Sequence, residues 1–160
     1  METRNDRTPA FEKLLIPATV RPGYSQEDAA DLGLEITVVF TSAEATLSAL
    51  GRAGALAHGL LAKITLVAPQ VVPYPLPLTS PPVLLDFTEE RLRTLANVSP
   101  METLVRIYLC RDRFDALAMM LKPRSVLILG TKKRWWPTPE ERLAKKLRKV
   151  GHQVIVTETE

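Results

Sequence analysis

Apolar and polar positions along this chain change period several times between residues 36 and 156. Ile36-Thr37-Val38-Val39-Phe40 is a short run of β-branched and aromatic residues, the pattern of a strand buried on both faces. Thr41 and Ser42 follow, and either hydroxyl is suited to cap a helix. From Ala45 to Ala62 the period becomes helical, with Leu47, Leu50, Gly54, Ala57 and Leu61 along one face. Gly51, Ala53, Gly54, Ala55 and Gly59 are small enough to let that helix lie close to a sheet. Each glycine lowers helix propensity by roughly 1 kcal/mol relative to alanine, so close packing has to compensate. Lys63-Ile64-Thr65-Leu66-Val67 is a second strand, which completes a βαβ unit with parallel strands.

The segment from Pro69 to Pro82 carries Pro69, Pro73, Pro75, Pro77, Pro81 and Pro82. Proline lacks the backbone N–H, so this stretch is expected as an ordered, partly polyproline loop and not as helix or central strand. A short helix is expected over Thr88 to Ala96, capped by Thr88, and a third strand over Thr103 to Leu109. Asp112 caps a helix running to Leu121 and stopped by Pro123. Ser125 to Leu129 is a fourth strand ended by Gly130. Thr138-Pro139-Glu140-Glu141 combines an N-cap threonine, a proline at the first helical position and a capping-box glutamate. The helix it starts is expected to bury Leu143, Leu147 and Val150 and to end at Gly151. Val154-Ile155-Val156 is a fifth strand. The alternation predicts an α/β fold: an open, doubly wound, mostly parallel five-stranded sheet.

Residues 1–35 read as an N-terminal extension, and 36–160 as the α/β domain. Within the extension, Phe11 to Ile16 has the pattern of a short strand, and Ser25 with Asp28 that of a short capped helix ending near Gly33. At 160 residues, 46% apolar and 24% charged, the composition is that of one ordinary domain with one core. No apolar run reaches the ~18 residues of a spanning helix, and no signal-peptide pattern stands at the N-terminus, so a cytoplasmic protein is expected. A single cysteine, Cys110, excludes an internal disulfide framework. The net charge of +3 is too small to predict nucleic-acid binding.

In doubly wound sheets, ligands sit at the carboxyl ends of the strands. That rule directs attention to Thr41-Ser42-Ala43-Glu44, to the residues after Val67, to Arg111-Asp112, and to Gly130-Thr131-Lys132-Lys133-Arg134. Glycine, hydroxyl and cations in that order suit a small anionic ligand; a tight turn with a solvated charge run is the plainer reading. Trp135 and Trp136 next to the cations fit either base stacking or covering the edge of the core, and the second is preferred. No Walker loop, Gly-x-Ser-x-Gly elbow, dinucleotide fingerprint or paired-histidine motif occurs. His58 and His152 read as structural, Cys110 as a buried thiol, and no nucleophile–base pair can be named.

The segment from Ile36 to Leu50, with the order of elements through Val156, resembles the universal stress protein family. Gly130-Thr131-Lys132-Lys133-Arg134-Trp135-Trp136 is also similar to the stress-protein-like domain of potassium-sensing histidine kinases. The resemblance implies the fold and a homodimer through the edge strand Val154, Ile155 and Val156; the competing arrangement is an edge capped within one chain by Leu14-Leu15-Ile16. It would also make an adenine nucleotide the cofactor to test. ATP-binding members, however, carry an aspartate where Thr41 stands and a Gly-x2-Gly-x9-Gly-Ser/Thr phosphate motif of which only Gly130 is present. Counted from Gly130, Lys133, Leu143 and Ala144 occupy the remaining motif positions; anchored on the last strand, Glu140 and Glu141 take the final glycine–hydroxyl pair. A carboxylate at a helix N-terminus competes with phosphate for the same positive end. The expected function is therefore a non-catalytic, stress-protein-like regulatory or binding module with a lost or altered nucleotide site. The alternative is a binder of ATP or a cyclic dinucleotide through a non-standard loop. A hydrolase or transferase is least favoured. The candidate ligand-binding residues are Thr41, Ser42, Gly130, Thr131, Lys132, Lys133 and Arg134.

Overall fold

A computed structural model of the chain describes residues 11–15 and 34–159. The helix expected near Ser25 lies outside them. In chain order the elements are β1 (Phe11–Leu15), β2 (Glu35–Val39), α1 (Ala43–Leu60), β3 (Lys63–Val71), α2 (Leu85–Asn97), β4 (Thr103–Cys110), α3 (Arg113–Met120), β5 (Val126–Lys132), α4 (Pro139–Lys149) and β6 (Gln153–Thr159). The sheet order is β1-β4-β3-β2-β5-β6. Strands β2 to β6 are mutually parallel, and β1 adds a sixth, antiparallel strand beside β4, with Phe11 opposite Leu109.

Helices cover both faces. Ala49, Leu50, Ala53 and Ala57 of α1, with Leu92 and Leu95 of α2, bury Ile36, Val38, Leu66, Ile107 and Ile128 on one side. Leu117 of α3, with Leu143 and Leu147 of α4, buries Val39, Val67, Leu127, Leu129 and Val154 on the other. The alternation along β2 and β5 supplies both layers from one strand. The chain winds from β2 toward β3 and β4, then returns to place β5 on the other side of β2. The direction of winding therefore reverses between β2 and β5.

Several expectations change for local reasons. The buried face of α1 is Ala45, Thr46, Ala49, Leu50, Ala53, Gly54 and Ala57, with Leu47 and Leu61 turned to solvent. Small residues win that face because the helix lies close: a Cβ on Gly54 would come within 2.3 Å of Pro100 Cγ. Gly51 and Gly59 have open space around them and serve no such approach. Helix α2 begins at Leu85, so Thr88 is inside it and no side chain caps it. In α4 the capping box forms as expected, but Ala144 joins Leu143 and Leu147 in the core, and Val150 is exposed.

Two strands run past the residues expected to stop them. Strand β3 continues through Pro69 to Val71. Pairing of β2 with β3 ends at Val39 and Val67, so β3 beyond that point has only β4 beside it. Val67 C=O accepts from Phe40 N–H on the β2 side, whereas Val72 N–H donates to Cys110 C=O on the β4 side. Alternation therefore puts Pro69 with its missing N–H on the open side, where no ladder bond is lost. In the same way β5 does not end at Gly130 but continues to Lys132, paired with β6 after β2 has stopped.

Strand β6 lies at one edge of the sheet and β1 at the opposite edge. The alternative in which the N-terminal strand caps β6 is thus overturned: Phe11–Leu15 pairs with β4, at the far side of the sheet.

Candidate functional site

The early end of β2 and the longer run of β5 leave a step at the carboxyl edge, where the winding reverses. The turn after β2 is fastened into this step. Thr41 Oγ1 donates to Gly130 C=O at 2.8 Å, and Thr41 N–H donates to Thr46 Oγ1 at 3.2 Å. Ser42 caps α1 by accepting from Ala45 N–H at 3.3 Å. The first turn of α1 crosses β5 so closely that a Cβ on Gly130 would lie 2.0 Å from Ala45 C=O. Glycine at 130 thus answers a packing demand of α1.

The far wall is the start of α4. Thr131 is buried, and its hydroxyl lies 2.8 Å from that of Thr138. Thr138 Oγ1 accepts from Glu141 N–H, and Glu141 carboxylate accepts from Thr138 N–H, both at 3.2 Å. Pro139 carries no N–H, so the capping box engages most of the free donors of this helix end. Between the two helix starts lies a cavity of about 380 Å³, in the lower part of the range of small-molecule sites.

Thr41, Ser42, Gly130, Thr131, Lys132 and Arg134 all line this cavity; of the seven candidates, only Lys133 does not. Gly130, Thr131 and Lys132 reach the cavity from the end of β5, and Arg134, Trp136 and Pro137 from the turn that follows it, which bends at Trp135 and Trp136. Trp135 is fully exposed and Trp136 is 81% exposed, so neither covers the edge of the core as expected. Trp136, Thr138 and Glu140 are lining residues that the sequence reading did not assign to a site. No period along the chain marks Trp136, because β5 ends at Lys132 and the chain bends at Trp135 and Trp136.

Among the lining residues Lys132 and Arg134 stand against the single carboxylate of Glu140, in the first turn of α4. A second carboxylate, Glu44 in the first turn of α1, does not line the cavity but lies 3.5 Å from Lys132 Nζ, with both side chains largely in solvent.

The other candidate segments do different work. Arg111 Nη1 donates to the carbonyls of Val72 and Leu76, each at 2.9 Å, and its guanidinium lies 4.1 Å from the centre of the Tyr74 ring. It holds the proline-rich loop onto the end of β4. Asp112 caps α3 by accepting from Asp115 N–H at 2.9 Å. Cys110 is buried, and its thiol is pushed up to about 11 by burial and then by Asp112, with Arg113 acting in the opposite sense. It is a thiol at neutral pH and not a nucleophile. His152 Nδ1 accepts from Ser125 N–H at 3.1 Å, and His58 is exposed on α1. Among the described residues, no group of histidine, cysteine and carboxylates is placed to hold a metal ion, and no helix is long and apolar enough to cross a membrane.

No protein-family model matches the chain, and no curated protein matches it. Among solved structures, it is similar to a universal stress protein crystallised in complex with cAMP, at 18% identity over 80% of this chain and 98% of that one, with a TM-score of 0.48.

Proposed function

We propose that this chain is a non-catalytic binding module of the universal stress protein type, whose crevice between β2 and β5 takes a small phosphoryl-bearing ligand of mononucleotide size. The observation that carries the reading is the cavity itself. It sits where the winding reverses, and Lys132 reaches it from the end of β5 and Arg134 from just beyond that strand. Its hydroxyls support a binding role over a catalytic one, because they are engaged in the fold: Thr41 with Gly130, and Thr131 with Thr138. No histidine or cysteine lines it to serve as base or nucleophile.

The charge balance selects the ligand class. Glu140 lines the cavity beside the two cations, Glu44 pairs with Lys132 from outside the lining, and the capping box of α4 engages most of the donors of that helix end. A triphosphate would meet the Glu140 carboxylate and compete with Glu44 for Lys132, whereas a phosphodiester with one negative charge would be less strongly repelled. The altered site therefore favours a singly charged nucleotide over ATP. Titration calorimetry with cAMP and with ATP tests this. ATP is expected to bind more weakly than about 100 μM, roughly −5.5 kcal/mol, and cAMP more tightly than ATP. Low-micromolar ATP binding would overturn the proposal. Acid extraction of the purified protein, followed by chromatography, checks independently for a nucleotide retained from the cell.

A further inference from the structure

The segment beyond β5 carries a feature that a phosphate site alone does not require. Trp136 lines the cavity together with Lys132 and Arg134, from the bend that follows β5. Its indole is 81% exposed and has no ring, cation or hydrogen-bond partner among the described residues. A large, exposed apolar ring lining the same cavity as two cations matches a ligand that is anionic at one end and flat and aromatic at the other. Trp135, its neighbour in sequence, is fully exposed but does not line the cavity.

We propose that Trp136 is the platform on which the nucleobase of the bound ligand stacks, and that the base is gripped by its face and not read along its edge. This rests on the reading of the crevice as a nucleotide site. The second half follows from the side chains around it. The hydroxyls of Thr41, Thr131 and Thr138 are tied to one another or to backbone, and Ser42 accepts from Ala45 N–H. Few side-chain groups remain to distinguish one base edge from another. Stacking is tolerant of base identity because every base has a π face. The site is therefore selective for an aromatic base beside a phosphodiester, but weakly selective between adenine and guanine.

The protein carries its own reporter, because Trp135 and Trp136 are its two tryptophans. Fluorescence titration and calorimetry with cAMP, cGMP and the base-free probe dimethyl phosphate provide the test. cAMP and cGMP are expected to bind within about threefold of each other, and Trp136→Ala to weaken both by about tenfold or more. Trp136→Phe should recover most of that loss, while Trp135→Ala leaves affinity unchanged. Quenching on cAMP addition should persist in Trp135→Phe and vanish in Trp136→Phe. Dimethyl phosphate, followed by resonance shifts in the protein, should bind wild type and Trp136→Ala alike. Equal cAMP affinity in wild type and Trp136→Ala would overturn the stacking role while leaving the phosphoryl site standing. A preference between cAMP and cGMP beyond about thirtyfold, some 2 kcal/mol, would overturn the tolerance. Failure of all three probes to bind would overturn the nucleotide reading itself. Thermal melts of each variant verify that this exposed position leaves the fold intact.

Discussion

The carbonyl of Ala45 stands where a side chain on residue 130 would begin. A Cβ built on Gly130 falls 2.0 Å from that oxygen and 2.9 Å from Ala45 Cβ. The oxygen belongs to the first turn of α1, so it cannot yield as a flexible side chain would. Gly130→Ala is expected to lift α1 away from β5 and destabilise the protein by about 3 kcal/mol, at the upper end for overpacking. Urea unfolding measures this; a loss below about 0.5 kcal/mol would show that α1 moves aside freely.

The hydroxyl contact between Thr131 and Thr138 joins the core of β5 to the start of α4. Thr138→Ala removes an N-cap, half of a capping box and the partner of a buried hydroxyl together. Loss of a cap alone costs about 1 kcal/mol, and an unsatisfied buried hydroxyl adds about 1–3 kcal/mol. Thr131→Val should lose only the second part. In a double-mutant cycle the two changes should cost less together than the sum of each alone, because they remove a shared contact.

The five parallel strands were legible because each carries a short run dominated by apolar residues, many of them β-branched, and the helix starting at Thr138 because its capping box is written in four consecutive residues. The strand ends were not legible. Pro69 and Gly130 ordinarily stop a strand, and nothing local says that β2 finishes at Val39 and leaves the ends of β3 and β5 open on one side. The same gap hid part of the candidate site. The strand-end rule pointed to Thr41, Ser42 and Gly130 onward, but Trp136 reaches the cavity from a bend beyond the last paired residue of β5, which no period along the strand marks. The balancing of Lys132 by Glu44 joins two elements distant in sequence, which a pattern along the chain does not reveal.

The cavity lining separates neighbouring cations: Lys132 and Arg134 belong to it and Lys133 does not. Lys132→Ala with Arg134→Ala should reduce cAMP affinity by about tenfold or more, since charge-assisted contacts are the stronger hydrogen bonds. Lys133→Ala, directly between them, should have no effect. All three side chains are exposed, so their contribution to stability is small and melting should not change. Calorimetry on the three variants decides it; equal losses at 132, 133 and 134 would mean that the segment acts as a diffuse charge and not as a shaped wall.

The Cys110 thiol makes stability depend on pH in the alkaline range. Its folded pKa is raised to about 11, above that of an unfolded cysteine at about 8.5. Below the unfolded value both states hold the proton, and the native thiol carries no penalty. As pH rises from there toward the folded value, the unfolded state ionises first and stability falls. Urea midpoints measured between pH 8 and 11 should therefore decline, and Cys110→Ala should flatten part of that slope. At neutral pH, thiol reagents should modify Cys110 only after unfolding.

The edge at β6 is the place where a second copy is expected to bind. Gln153 N–H donates to Ser125 C=O, and Thr159 C=O accepts from Lys133 N–H, so odd-numbered residues of β6 face β5. By alternation Val154, Val156 and Glu158 turn their backbone groups outward. The Arg148 guanidinium already covers Val154 C=O, donating from Nε at 3.2 Å and Nη2 at 2.8 Å. That leaves Val156 and Glu158 as the open part of the edge, a template for antiparallel pairing about a two-fold axis. Ile155 is a poor residue with which to test this, because it packs into the core beside α1 and a charge there would disturb the fold. Val156→Pro is the sharper change. Its missing N–H faces away from β5, so the internal ladder survives, as prolines on edge strands do. Light scattering should report a dimer for the wild type and a monomer for Val156→Pro, with similar circular dichroism for both. A wild type that is monomeric at about 100 μM, where a weak dimer would still be populated, would show that this edge stays unpaired in solution.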